Sequence, residues 1–286
     1  MVDYIPRLES VPPLAQAIAD KFGALPQVIA VALAGSRTTG ASNETSDYDF
    51  YVYIQESISL EIRNAIAKEF AEHIEINNQF WEPGDEWIDS RSGCGVDVMY
   101  RTPQWIEEQI DRVLVHHQAS VGYSTCFWWN VLTSAPLYDE TGWFKQLQET
   151  ANQPYPEQLR RAIIAKNYPI LQHNISSYTH QLHVAIERSD SVSIIHRVTA
   201  LLASYFDILF AVNCVPHPGE KRLVQWVIKL CEKVPDGMEE QIHEINHLLP
   251  LSSSRLNLLS HLTDLIDDLE QLLIAEKLIT EPGKFV

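Results

Sequence analysis

The chain has 286 residues, 45% of them hydrophobic and 21% charged, and 38 acidic side chains against 21 Lys and Arg give it a formal charge of -17. No run of Lys and Arg interrupts that acidity, so the basic stripe of a nucleic-acid binder is missing; an acidic surface suits a neutral or cationic small partner better. Four cysteines without a C-x-x-C pair fit reduced thiols in a cytoplasm rather than a disulfide framework or a zinc site. With no apolar run read as long enough to span a bilayer, and no basic-then-apolar start, neither a membrane partner nor secretion is expected.

The first part of the chain mixes helix and strand signals. Residues 12–24 suit a helix with proline in its first turn. Val28 to Ala34 is a continuous apolar run ending at Gly35, as in a buried strand. Phe50 to Ile54 reads as a second strand, residues 58–74 as a helix with Ile58, Ile62, Ile66 and Phe70 on one face. The polar stretch 77–95 is expected to hold a hairpin or a long loop, and Val96 to Arg101 a third strand. From Thr102 onward only helices are expected, punctuated by Pro103, Pro136, Pro154, Pro156, Pro169, Pro216, Pro218, Pro235 and Pro250. Residues 192–213 are apolar nearly all round, which predicts the central helix of a bundle, and 255–279 predict a long amphipathic helix.

The chemistry concentrates in GSRTTGASNETSDYDF, residues 35–50. Side chains two apart on a strand share a face, so Asp47, Asp49, Tyr51 and Tyr53 are expected on one side and Tyr48, Phe50, Val52 and Ile54 on the core side. Adjacent carboxylates repel unless a cation compensates them, and hard oxygen ligands select magnesium or manganese. Asp97, inside the third strand behind Gly95, would complete a three-carboxylate cradle if that strand lies beside the second. Gly35 lets backbone approach a ligand, and the amides with the Ser36 hydroxyl offer donors to phosphate oxygens.

This pattern of a Gly-Ser turn, a spacer, an Asp-x-Asp pair and a later strand aspartate resembles the nucleotidyltransferase superfamily typified by DNA polymerase beta. Its small antibiotic-modifying and antitoxin branches carry a fuller form, roughly GSRAxGxxxxxSDxDL, which Arg37, Gly40 and Ser46 also match, with Thr38 and Phe50 as departures. The resemblance implies an α+β fold: a small mixed sheet with flanking helices over residues 1–120, then an all-helical bundle over 121–286, with the site in the cleft between. It implies Asp47 and Asp49 as magnesium ligands, Asp97 sharing the metal or taking the acceptor's proton, and Gly35, Ser36, Arg37 and Ser46 around the nucleotide. A second stretch, AVNCVPHPGEKRL at 211–223, is similar to the Asn-x-x-x-x-Pro-Gly-x-Lys segment of the helical domain in many small-molecule nucleotidyltransferases, a resemblance that implies Lys221, helped by Arg222, as the candidate to reach the nucleotide phosphates.

The implied reaction moves a nucleoside monophosphate from a nucleoside triphosphate, ATP first, to a hydroxyl of a small and cationic acceptor, with pyrophosphate released. Glu187, Asp207 and Glu220 are acids that a cationic acceptor would meet on the bundle face, and His173, His180 and His183 share one side of a helix at metal-ligand spacing. Two other readings stand beside this one: a protein-adenylylating enzyme of the antitoxin type, and a nucleotide-binding module without transfer activity.

Overall fold

Three apolar segments meeting in register organise the first part of the molecule. The computed structural model describes residues 4–6, 10–40, 43, 45–80, 82–249, 255–281 and 284–285. The chain divides into two compact units, one made of Met1–Asp111 with Phe127–Pro154, the other of Arg112–Cys126 with Tyr155–Val286. The class is α+β: a mixed sheet with helices in one unit, and helices almost throughout the other.

In the first unit the elements are α1 (Pro13–Gly23), β1 (Val28–Ala34), α2 (Ser36–Thr39), β2 (Tyr48–Ile54), α3 (Leu60–Lys68), β3 (Ile74–Asn78), β4 (Gly84–Ile88), β5 (Gly95–Arg101), most of α4 (Pro103–Leu114), α5 (Cys126–Thr133), β6 (Ala135–Asp139) and α6 (Trp143–Ala151). The six strands lie in the order β3-β4-β5-β2-β1-β6, with β2 and β5 parallel and every other pair antiparallel. One face of the sheet buries Val31, Leu33, Phe50, Val52, Val96 and Val98 against Ile18 and Phe22 of α1 and Ile66 of α3. The edge formed by β3, β4 and β5 is tied to α3 by Arg63. Its Nε donates to Asp85 at 2.8 Å, and Asp85 also accepts from the Tyr100 hydroxyl at 2.6 Å and the Asn77 amide at 2.9 Å.

The other face is packed too, toward one end. Ala30 and Ala32 of β1 stand opposite Tyr53 and Tyr51 of β2, small residues making room for large ones. Tyr53 lies 5.0 and 5.2 Å from the Trp143 and Phe144 rings of α6, and the Arg101 guanidinium sits 3.6 Å over the Tyr51 ring while pairing with Glu82. Tyr51 and Tyr53 therefore share the face of the aspartates, as alternation requires, yet both are buried. At the end carrying the acids, Asp49 and Asp97 are half-buried and Asp47 is exposed.

Two expectations for the region after Thr102 are corrected here. Residues 135–139 form a strand, β6, on the edge of the sheet beside β1. Proline lacks a donor and so marks a break in most contexts, but an edge strand tolerates it, and Pro136 sits in this one opposite Ala32. Near the end of the chain, β7 (Ile279–Glu281) and β8 (Lys284–Phe285) form a two-stranded ribbon.

The second unit contains α7 (Glu157–Gln172), α8 (Tyr178–Glu187), α9 (Ser191–Val212), α10 (Leu223–Leu230), α11 (Met238–Leu248) and α12 (Arg255–Ala275), with the ribbon following. Pro169, read as a break, lies inside the last turns of α7, where its carbonyl accepts from the amides of His173 and Asn174 and closes the helix. Pro250 falls outside the described residues. The N-terminus of α9 is capped by Asp190, which accepts from the Ser193 amide at 3.0 Å and its hydroxyl at 2.6 Å. Val198, Leu201, Tyr205 and Leu209 of α9 pack into a core shared with Tyr168, Leu182, Ile245, Leu265 and Leu269. By length and composition alone α9 meets the requirement for crossing a bilayer, with a mean hydropathy of 1.4 over eighteen residues, which corrects the expectation that no run does. Of that window 61% is buried inside the unit, the packing expected of a bundle's central helix.

Within α9, Asp207 is buried at 1% exposure rather than presented to an acceptor. It accepts from the Ser124 amide at 2.9 Å, the Ser124 hydroxyl at 2.6 Å and the Asn167 side chain at 3.2 Å, so its carboxylate anchors the segment before α5. Burial outweighs those donors and pushes its carboxyl up to about 6. Glu187 is exposed and paired with His183 at 3.3 Å; Glu220 is exposed. His173 Nε2 lies at hydrogen-bond distance, 3.0 Å, from a Glu270 carboxylate oxygen.

Candidate active site

Parallel pairing of β2 with β5 sets Asp49 directly opposite Asp97. Their neighbours Tyr48, Phe50, Val96 and Val98 fill the core on the far side of the sheet, so both aspartates stand on the other face, each half-buried. Asp47, two residues before Asp49, is exposed and lies just ahead of that strand.

Two glycines make room for these carboxylates. β1 ends with Ala34 opposite Asp49, and Gly35 follows with φ 71° and ψ -148°, a conformation open essentially to glycine alone. A Cβ on Gly35 would lie 1.9 Å from Asp49 Oδ2. A Cβ on Gly95 would lie 2.6 Å from Asp47 Oδ1. Each acid therefore rests against bare backbone, and neither glycine can gain a side chain without moving a carboxylate.

The turn after Gly35 is held by its own hydroxyls. Thr38 and Thr39 donate to the Gly35 carbonyl at 3.1 and 3.2 Å, and Gly40 closes α2 in the left-handed conformation. Ser36, the first residue of α2, is half-buried. Ser46 is engaged with Asn43: its hydroxyl accepts from the Asn43 amide and donates to Asn43 Oδ1, both at 2.9 Å. Arg37 donates through Nε to the Asp47 carbonyl at 3.1 Å and through Nη2 to the Ser46 carbonyl, while its guanidinium lies 3.6 Å over the Tyr48 ring.

Lys221 belongs to the second unit and is exposed, one residue before Arg222, which caps α10 in the left-handed conformation. The loop carrying it is pinned by His217, which is fully buried between the rings of Tyr123 and Phe210 at 5.1 and 4.9 Å. The His217 amide donates to Thr125 Oγ1 at 2.7 Å and its Nδ1 accepts from the Gly219 amide at 3.1 Å. Burial pushes this imidazole down to about 3, so it is neutral through the physiological range.

Two residues at this site are missing from the set read in the sequence. The sequence marks Gly95 only as the residue before Asp97; its contact is with Asp47, which only the folded chain brings against it. Glu86 of β4 stands opposite Asp97, exposed on the same face, with Glu75 of β3 opposite it in turn. The alternation in 84–88 carries that signal, but the register that aligns it with Asp97 is not written in the local sequence.

Hard divalent cations take carboxylate oxygens, and the acids on this face are of that kind. In their present rotamers the side chains rest on Gly35 and Gly95, and among the described residues no three His, Cys, Asp or Glu side chains form a group that could hold a metal ion. The same holds for His173, His180 and His183. The donor chemistry is that of a magnesium or manganese site, and the side chains as placed do not gather three such donors.

No family model and no curated protein matches the chain. Among solved structures it is similar to a nucleotidyltransferase-like protein from Exiguobacterium sibiricum 255-15, at 10% identity, covering 92% of this chain and 74% of that one, with a TM-score of 0.43.

Proposed function

We propose that the chain is a nucleotidyltransferase that moves a nucleoside monophosphate from a nucleoside triphosphate, ATP first, to a hydroxyl of a small acceptor. The observation that carries this reading is the register of Asp49 with Asp97, with Asp47 immediately before the strand that carries Asp49 and the glycine-only turn at Gly35 packed against the Asp49 carboxylate. The acceptor oxygen forms a bond to the α-phosphorus, the bond to the β-phosphate bridge breaks, and pyrophosphate leaves with the electron pair. A magnesium or manganese ion, when bound, supplies positive charge against the triphosphate and the developing charge.

Asp47 and Asp49 would hold that ion. Asp97 would share it or take the proton that the acceptor hydroxyl loses. The amides after Gly35 and the Ser36 hydroxyl would orient phosphate oxygens, with Ser46 ordering the approach to β2. A net charge of -17 favours a neutral or cationic acceptor over nucleic acid, and the reading puts the enzyme in the cytoplasm without a membrane partner. The test is calorimetric titration with ATP, with and without magnesium, followed by pyrophosphate release over a panel of amino sugars and neutral sugars. Magnesium-dependent binding with release for one acceptor class supports the reading; ATP binding indifferent to magnesium and to Asp49→Asn would end it.

A further inference from the structure

The guanidinium of Arg37 faces away from the carboxylates that the Gly-Ser turn accompanies. It lies over the Tyr48 ring at 3.6 Å, and Nη2 is 3.7 Å from Cys94 Sγ. Tyr48 and Cys94 both belong to the core packed between the sheet and α1 and α3, whereas Asp49 and Asp97 stand on the opposite face. From that side Arg37 reaches back across the spacer to the two residues that lead into β2. Nε donates to the Asp47 carbonyl and Nη2 to the Ser46 carbonyl, two successive peptide groups gripped by one planar fork.

We infer that Arg37 is a positioning residue: it fixes the backbone at Ser46 and Asp47, and so the Asp47 carboxylate against Gly95, rather than binding the nucleotide's phosphates. This rests on the nucleotidyltransferase reading and deepens it. Four observations converge on the same short segment: the fork on the two carbonyls, the stack on Tyr48, the Asn43–Ser46 turn, and the Asp47 carboxylate lying on Gly95. A guanidinium with these donors committed and its face stacked holds a backbone; a phosphate ligand would present its fork to the acid-bearing face. Lysine is no substitute, because a single ammonium point cannot span two carbonyls while its stem stacks on an aromatic ring.

The two roles separate in binding. In the wild-type protein, Arg37→Ala and Arg37→Lys, manganese affinity is read by electron paramagnetic resonance, metal-free ATP affinity by calorimetry, and kcat by pyrophosphate release; circular dichroism confirms folding. The positioning role expects metal-free ATP to bind both variants within about twofold of wild type. It also expects manganese affinity to fall about tenfold and kcat to fall by up to about a hundredfold, since a displacement near 1 Å costs that much. Added methylguanidine should restore part of the lost manganese affinity in Arg37→Ala. A loss of metal-free ATP affinity with unchanged manganese binding would make Arg37 a phosphate ligand and overturn the inference, as would variants indistinguishable from wild type. If the wild-type protein itself binds no manganese that Asp49→Asn abolishes, the transfer reading fails first and takes this role with it.

Discussion

Adding one methyl group at Gly95 should separate catalysis from stability. An ideal Cβ there lies 2.6 Å from Asp47 Oδ1 and 3.0 Å from its Cγ, against an ordinary carbon contact of about 3.5–4.0 Å. The obstacle is the end of an exposed side chain, so the carboxylate can retreat by about 1 Å instead of distorting the sheet. Gly95 has no positive φ, hence alanine carries no backbone strain at this position, and the loss of unfolded-state freedom favours the folded form by about 0.4–1 kcal/mol. Gly95→Ala is therefore expected to melt at or slightly above the wild-type temperature while pyrophosphate release falls by about a hundredfold, the cost of a 1 Å misplacement. In an Asp47→Asn background the same change should add nothing further, because the two substitutions act through one carboxylate. Wild-type turnover in a folded Gly95→Ala protein would refute the assignment of Asp47, and an activity loss that merely follows unfolding would refute the geometric reasoning.

Asp49→Asn keeps the shape of the side chain and is expected to reduce pyrophosphate release to background with an unchanged circular dichroism spectrum. Gly35→Ala should instead lose both activity and stability, since it adds about 1–3 kcal/mol of backbone strain to a collision 1.9 Å from Asp49 Oδ2; chemical denaturation reads the second loss. Arg63→Ala leaves Asp85, at 1% exposure, with no opposing charge from Arg63, and about 3–5 kcal/mol of unfolding free energy should be lost in a urea titration. For Asp207, burial holds the folded carboxyl at about 6 against 3.8 unfolded, so the folded state retains a proton the unfolded chain gives up. Its contribution is whole below pH 4 and disappears as pH climbs through 6, about 3 kcal/mol in all. The stability difference between wild type and Asp207→Asn should swing by that amount across this window; a flat difference would mean the carboxylate is ionised at no cost.

How far the sequence carried the structure depends on whether the determining contact was local. β1 can be read because its apolar run is continuous, β2 because Phe50 to Ile54 is rich in Tyr, Val and Ile, and β5 from the length and composition of 96–101. β6 was hidden by Pro136, which signals a break unless the strand is known to lie on an edge. Pro169 misled in the same way, because a helix end can absorb it. The burial of Asp207 had a signal, its position inside an apolar helix, but nothing local names Ser124 and Asn167 as its partners. The Asp-x-Asp spacing was visible; the pairing of Asp49 with Asp97, the approach of Asp47 to Gly95 and the alignment of Glu86 depend on register between distant segments. His217 offered no hint at all, since a histidine among prolines and a glycine reads as surface.

The way the chain is partitioned limits how it can be cut. Residues 127–154 return to the first unit after an excursion through 112–126, and they bring back both β6 and α6. A fragment ending anywhere in that excursion would leave β1 with unpaired backbone along its outer side and strip the Trp143 and Phe144 rings from Tyr53. Such a fragment would carry every proposed acid and still present a sticky, half-finished edge to its copies, so it should precipitate rather than work.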